Sequence, residues 1–505
     1  MNSTKRVFYN TLSQYVRTVI AVVVTLYTSR IVLHNLGVDD YGIYNLVAGV
    51  IALLSFFSDS LSTTTQRYLS FNQGRGDQMM MNKIFNNSVF TQTVISLILC
   101  AILALCTPFV FDSLLNIPKE RVDAAKAVYY FMIFSLFVNF QSTPYKAALI
   151  AHENIVYASI IQILDAILKI PIAISLIYIS QDKLIWYSGL SFGIVLMNFF
   201  FYYFYCVFKY EECKKLNLKD FDKLLFKDMF SFMWWMIYSS GCVAARTQGI
   251  AIFLNRSFTT AVNAAYGIGQ QVSGQFAFLS NALTTAMRPL IIRAEGAGDR
   301  AKMFRLCEIS CKMAFILLGC VSIPAIIHMN DLLSLWLVEV PQYAVMFCQF
   351  FLLACWIDEL TLSLMFANQA VGNVRVYSLW VNTIKIVTIP LTWILLKFGY
   401  GPHMVMIAYV LIETICMLSR LIFLRININL NIKNFTCNVI FPIIIPVFIA
   451  ICFSSYMGNF ISGWQCLINF ILTPIVLIIF ILIMGLRKDE RTVIYSLIQK
   501  KQNVN

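Results

Sequence analysis

The sequence predicts an all-α integral membrane fold of about fourteen transmembrane helices, arranged as two pseudo-symmetric six-helix lobes and two C-terminal helices. Three observations predict it. Hydrophobic residues make up 59% of the chain and charged residues only 12%, whereas a soluble domain is about 25% charged. Apolar runs recur at the length of a membrane span. The chain also repeats itself at a spacing of about 220 residues.

A bilayer core of about 30 Å needs roughly 20 apolar residues. Windows of that length place spans at 9–33, 41–62, 85–110, 127–150, 155–179, 184–208, 229–254, 262–287, 306–328, 343–367, 375–398, 403–426, 435–457 and 463–485. The first, second, seventh and eighth carry the most polar residues. Lys5 and Arg6 precede an apolar run that reaches Leu33 without a small-residue cleavage site, which reads as a retained first helix. Most of the 38 Lys and Arg residues fall in segments that are cytoplasmic if both termini are. Six fall in the opposite loops: Lys119, Arg121, Lys126, Lys183, Arg256 and Lys397. That bias is the positive-inside pattern, and it places a multi-pass protein in a bacterial inner membrane with cytoplasmic termini. The net charge of +13 is dispersed among apolar spans, which argues against nucleic acid.

The repeat is carried by four matches in order. Asp40-Tyr41-Gly42-Ile43 answers to Ala265-Tyr266-Gly267-Ile268, and Leu61-Ser62-Thr63-Thr64-Thr65-Gln66-Arg67 to Ala282-Leu283-Thr284-Thr285-Ala286-Met287-Arg288. Gly74-Arg75-Gly76-Asp77 answers to Gly296-Ala297-Gly298-Asp299, and Ala151, Asn154 and Tyr157 to Ala370, Asn373 and Tyr377. Six spans separate the copies, an even number, so the repeats run parallel. The expected organisation is a six-helix lobe over 1–208, a Lys-rich linker over 209–228, a second lobe over 229–426, and helices thirteen and fourteen with a tail over 427–505.

Polar residues in the four weak spans fall at i, i+3/i+4 spacing. Asn45 lies on the stripe of the second span, Arg246 on that of the seventh, and Gln270 on that of the eighth. Small and amide residues at this spacing also pack helices together. Arginine at membrane depth costs at least about 2.5–3.5 kcal/mol, so Arg17 and Arg246 are expected to line a wet cavity. Arg30 lies near a span end, where it lines the cavity or snorkels. Asp165 and Lys169 are four apart on one helix and can pair. Lys169 and Lys385 lie in corresponding spans, each shortly before a proline, Pro171 and Pro390, which favours a shared substrate role. Asp358, Glu359 and Glu413, with Asp165, are candidates for carrying a coupling H⁺ or Na⁺, or for pairing with lysines. Lys312, near an inner span end, is expected to snorkel.

Other chemistry is not signalled. There is no GxxxxGK[ST] phosphate loop, no HExxH, no Cys/His spacing for a metal, and no nucleophile beside a base. No cofactor, metal or catalytic residue is expected. The loops are short, which disfavours an intramembrane enzyme.

The run from Asn10-Thr11-Leu12 through Arg30 and the turn Leu36-Gly37-Val38-Asp39-Asp40-Tyr41-Gly42-Ile43-Tyr44 resemble the polysaccharide-transporter (Wzx-type) flippases of the multidrug/oligosaccharidyl-lipid/polysaccharide exporter superfamily. Tyr266-Gly267 and the Gly-x-Gly-Asp loops look similar to its second lobe. The resemblance implies two lobes around a cationic cavity lined by helices one, two, seven and eight, and a polyprenyl-pyrophosphate-linked oligosaccharide as substrate. It implies alternating access in O-antigen or capsule assembly. The rival reading is a MATE-like cation-coupled drug antiporter, whose cavity should be acidic and aromatic.

Overall fold

The computed structural model describes residues 3–52, 54–111, 118–214, 216, 221–258, 260–337, 339–460, 463–485 and 487. They are helical almost throughout, with no strand among the described residues. The helices are α1 (Ser3–Ala52), α2 (Ser55–Arg75), α3 (Gln78–Leu105), α4 (Val122–Ala151), α5 (Ile155–Ser175), α6 (Lys183–Lys209), α7 (Lys223–Ser257) and α8 (Thr260–Gly296). They continue with α9 (Arg300–Ile327), α10 (Ala344–Glu359), α11 (Leu362–Val371), α12 (Val374–Lys397), α13 (Pro402–Ile428), α14 (Ile432–Gly458) and α15 (Gly463–Gly485).

The Leu36-Gly37 turn breaks α1 into two legs. Gly37 has φ 81° and ψ 168°, a left-handed conformation that only glycine adopts at little cost. Ten helices among the described residues are long and apolar enough to cross a membrane, and α10 with α11, bent by 43°, makes an eleventh. The second, seventh and eighth legs lie outside that set, as their polar stripes anticipate. The first leg, Arg6–Gly37, lies inside it, because the run from Val19 to Val24 offsets the polar residues before it.

The chain divides into two compact units, Met1–Ile237 with Ile292–Gly298, and Tyr238–Ile291 with Asp299–Asn505. The linker expected at 209–228 therefore falls within the first unit, and the division falls inside α7. In the first unit α4 packs against α1, α2, α3 and α6. Its core includes Phe85 and Tyr145, edge to face at 5.3 Å between ring centres. In the second unit α9 packs against α10, α11, α14 and α15. Phe315 stacks on Trp356 at 4.8 Å, in a core that includes Ile443, Ala450 and Leu477. Helices α14 and α15 thus share the core of the second unit rather than standing beside it.

The repeat is visible in the backbone. Gly76 and Gly298 have φ 73° and 77°. Each is followed by an aspartate that caps the next helix: Asp77 accepts from the Met80 amide at 2.9 Å and Asp299 from the Lys302 amide at 3.0 Å. One side-chain oxygen satisfies an amide that the helix start leaves orphaned.

Candidate functional site

The second unit holds a buried charge cluster. Helix α7 contributes Arg246, α10 Asp358 and Glu359, α12 Lys385, and α13 Glu413 and Arg420. The Arg246 Nη1 donates to Glu413 Oε1 at 2.6 Å, and both side chains are only 4% exposed. The Arg246 guanidinium also lies 4.2 Å from the centre of the Tyr409 ring. The Lys385 Nζ lies 3.3 Å from Glu413 Oε2 and 3.8 Å from Asp358 Oδ1. The Arg420 Nη2 donates to Asp358 Oδ1 at 2.8 Å, and its Nη1 donates to Thr361 Oγ1 at 2.9 Å.

Thr361 and the acidic pair sit where α10 bends into α11. A broken helix frees backbone groups that a continuous one would satisfy, and such breaks are where membrane transporters place polar sites. A π-helical turn over Ser378–Asn382 precedes Lys385. Ser378 and Asn382 each reach Ser239 of α7 at 2.8 Å, which fixes α12 against α7 beside the cluster.

These positions correct two expectations. Arg246 does not face water within the second unit; it is buried and held by Glu413. Desolvation must be offset by water or by a carboxylate, and the sequence shows the cost without showing which supplies the offset. Lys312 does not snorkel: it is fully buried and donates to the Gly485 carbonyl oxygen at 3.3 Å. Asp358 and Glu413 pair with cations, one of the two roles open to them. Glu359, buried, accepts instead from the Ser280 hydroxyl at 2.5 Å. Gln270 is half-buried in α8 next to Tyr266.

The first unit encloses a cavity of about 490 Å³ between α1, α2, α4, α5 and α6. Its wall includes Asp59, Asn139, Asp165 and Lys169, with the rings of Tyr44 and Tyr187 edge to face at 4.9 Å. Ser58, Ser135, Ser188 and Ser191 add hydroxyls. The expected Asp165–Lys169 pair forms at 2.8 Å, and the Asn198 amide donates to Asp165 at 2.7 Å. Lys146 of α4 acts electrostatically on both Asp59 and Asp165. Two carboxylates thus meet two ammonium groups, and the cavity is close to charge balance.

Arg17 is half-exposed on α1. Its Nη1 donates to Gln162 Oε1 of α5 at 2.5 Å, and its Nη2 to Thr18 Oγ1 at 3.4 Å. Arg30 is exposed on the same helix. The backbone of Asn45 is helical, but its side chain lies outside the described residues.

Several members escaped the sequence reading. Arg420 and Lys146 had been counted with the cytoplasmic charges, yet they lie within α13 and α4 and meet carboxylates. For Arg420 a signal existed: it stands seven residues, two helical turns, after Glu413 and so on the same face. Asp59 lay on the polar stripe of the second span without being singled out.

At the end of the first unit that carries the linker, Arg121 belongs to the opposite rim. It binds Asp40 after the Gly37 break, at 2.8 Å from its Nε, and Asp182 at the cap of α6, at 2.8 Å from its Nη1.

Comparisons with known proteins agree with this geometry. Crystal structures of MATE in the bent and straight conformations align with TM-scores of 0.75 and 0.71, each at 12% identity. The bent form is matched over 86% of this chain and 98% of its own length, the straight form over 85% and 97%. A MOP-superfamily transporter from Pyrococcus furiosus, described as having a binding pocket of reverse polarity, aligns at TM-score 0.71 and 12% identity, over 85% of this chain and 96% of its own. These likenesses establish the fold.

The uncharacterized membrane protein EpsK of Bacillus subtilis strain 168 is 23% identical over 292 residues, 56% of this chain. The match spans about half of that relative, 53% of its length. The family model described as polysaccharide biosynthesis protein matches residues 3–295. With more than half of its length so matched and the fold of the MOP-superfamily transporters throughout, the chain belongs to the polysaccharide biosynthesis protein family.

Proposed function

We propose that the chain is a transporter rather than an enzyme: a flippase that carries a polyprenyl-pyrophosphate-linked oligosaccharide, an O-antigen or capsule repeat unit, across the inner membrane by alternating access. The observation that carries this reading is the charge-balanced, hydroxyl-lined cavity of the first unit. Its volume of about 490 Å³ falls within the roughly 300–1,000 Å³ of small-molecule sites. Uncharged sugar rings need aromatic faces and paired donors and acceptors, which Tyr44, Tyr187, Asn139 and the serines supply. Arg17, half-exposed on α1, supplies a guanidinium suited to the pyrophosphate, with Arg30, Asn45 and Gln270 as further contacts. The lipid tail stays in the bilayer while the headgroup crosses.

A MATE-like drug antiporter would need carboxylates left open to an organic cation. In the first unit Lys169 and Lys146 neutralise them; in the second Arg246, Lys385 and Arg420 do. Coupling to H⁺ or Na⁺ would draw on Asp165, Asp358, Glu359 and Glu413. Of these, Glu359 meets a hydroxyl rather than a cation and is the one we assign to proton carriage.

The test is a pair of variants, Arg17→Ala and Asp165→Asn, in cells that depend on the chain for surface glycan. Loss of surface glycan with accumulation of lipid-linked precursor in the inner membrane is the expected result. Intact glycan with altered drug accumulation would establish the antiporter instead.

A further inference from the structure

Where α4 turns into α5, Glu153 adopts φ 59°. A left-handed conformation is costly for a residue with a Cβ. The second repeat places Gly372, φ 96°, at the equivalent position, one residue before Asn373 as Glu153 stands before Asn154. A strained glutamate that persists where a glycine would serve marks a place with a use for the side chain.

That side chain is 3% exposed and is held from several directions. Its carboxylate binds Arg293, in the last turn of α8, and lies 3.8 Å from Arg6 of α1. Its carbonyl accepts from the Asn10 amide at 2.9 Å. Arg293 completes its fork on the Gln73 side-chain oxygen of α2 and on the Ala151 carbonyl at 2.9 Å. Gln73 in turn meets His152 Nδ1 at 3.0 Å, and His152 Nε2 meets Glu212 at 2.5 Å. All these residues belong to the first unit.

Beside this network the backbones of α2 and α8 touch. A Cβ on Gly74 would run into the Arg293 carbonyl oxygen, and one on Gly296 into that of Phe71. Residues 71 and 293 are separated by the same 222 positions as 74 and 296, so the two contacts are equivalent under the repeat. The ionic part is not: the repeat equivalent of Arg293 is Phe71, which carries no charge. The Arg293–Glu153 catch is therefore an addition to the repeated fold, not a requirement of it. A contact made of backbone and ion pairs, with residues 297–300 exposed beyond it, can part at little apolar cost.

We propose that residues 292–298 form a releasable latch on the first unit, with Glu153 as its catch, and that this segment opens as a separate step from the rest of the helix bundle. The role is independent of which substrate is carried.

Hydrogen–deuterium exchange of the purified full chain in lipid nanodiscs tests this. In the parent, amides of 292–298 should exchange faster than those of the α13 core. Arg293→Gln and Glu153→Gln should each accelerate exchange at 292–298 roughly ten- to a hundredfold, leaving α13 unchanged. Glu153→Gly removes the carboxylate but also the strain; it should accelerate exchange at 292–298 as much while leaving the melting temperature unchanged or higher. Unchanged exchange at 292–298 in Glu153→Gly and Arg293→Gln would overturn the proposal. So would equal acceleration across α9 and α13, because that reports a static structural contact.

Discussion

Replacing Glu413 by Gln keeps the side chain's shape and removes its charge. In the wild type Glu413 serves Arg246 at 2.6 Å and Lys385 at 3.3 Å. Without it, Arg246, Lys385 and Arg420 share the single carboxylate of Asp358 inside the bundle. Breaking a buried ion pair by removing one partner costs about 3–5 kcal/mol. Because both Arg246 and Glu413 are only 4% exposed, no discount for solvent screening applies. The arrangement also predicts an asymmetry. Arg246→Gln leaves Glu413 still paired with Lys385, so it should cost less than Glu413→Gln. The double variant should be less destabilised than the two singles together, by about 1–3 kcal/mol of coupling. The assay is thermal unfolding of the purified chain in detergent, followed by tryptophan fluorescence at one scan rate. For a unit of this size about 1 kcal/mol moves the midpoint by roughly 2–4 °C, so Glu413→Gln should lower it by roughly 6–15 °C. A midpoint within about 2 °C of wild type would refute the reasoning, as would strictly additive singles, because either outcome would mean water already solvates these charges.

Gly296→Ala should destabilise by about 1–3 kcal/mol, since its methyl meets the Phe71 carbonyl; Gly42→Ala, with nothing within 4 Å, should not, and thermal melts compare the two. Arg121→Ala should cost about 1–2 kcal/mol, because it releases both Asp40 and Asp182 at a partly exposed rim, and should speed proteolysis of the adjoining loops. Burial works to raise the Glu212 carboxyl, but the His152 hydrogen bond and charge outweigh it and hold Glu212 below its ordinary range of about 4.5. A depressed acid stabilises the fold above its unfolded pKa and loses that contribution as pH falls through the folded value. Amide exchange at Glu211–Lys214 should therefore rise as pH drops below about 4.5, and Glu212→Gln should abolish that pH dependence.

The sequence by itself determined the architecture. Apolar length alone sets a membrane span, and in lipid only a helix satisfies its own backbone; hence the helical legs lie where the hydropathy put them, from Arg6–Gly37 to Gly463–Gly485. The repeat was equally legible, because a Gly-Asp pair that ends one helix and caps the next imposes the same backbone at 76–77 and 298–299. The Asp165–Lys169 pair was legible too, being local to one helix turn. Only the tertiary structure decided what the charges do. Arg246 meets Glu413 across 167 residues, and Arg293 meets Glu153 across 140. A buried cation can be satisfied by water or by a distant carboxylate at similar free energy. One-dimensional pattern carries the cost of burying a charge; which partner offsets it is a matter of how helices far apart in the chain turn their faces to each other.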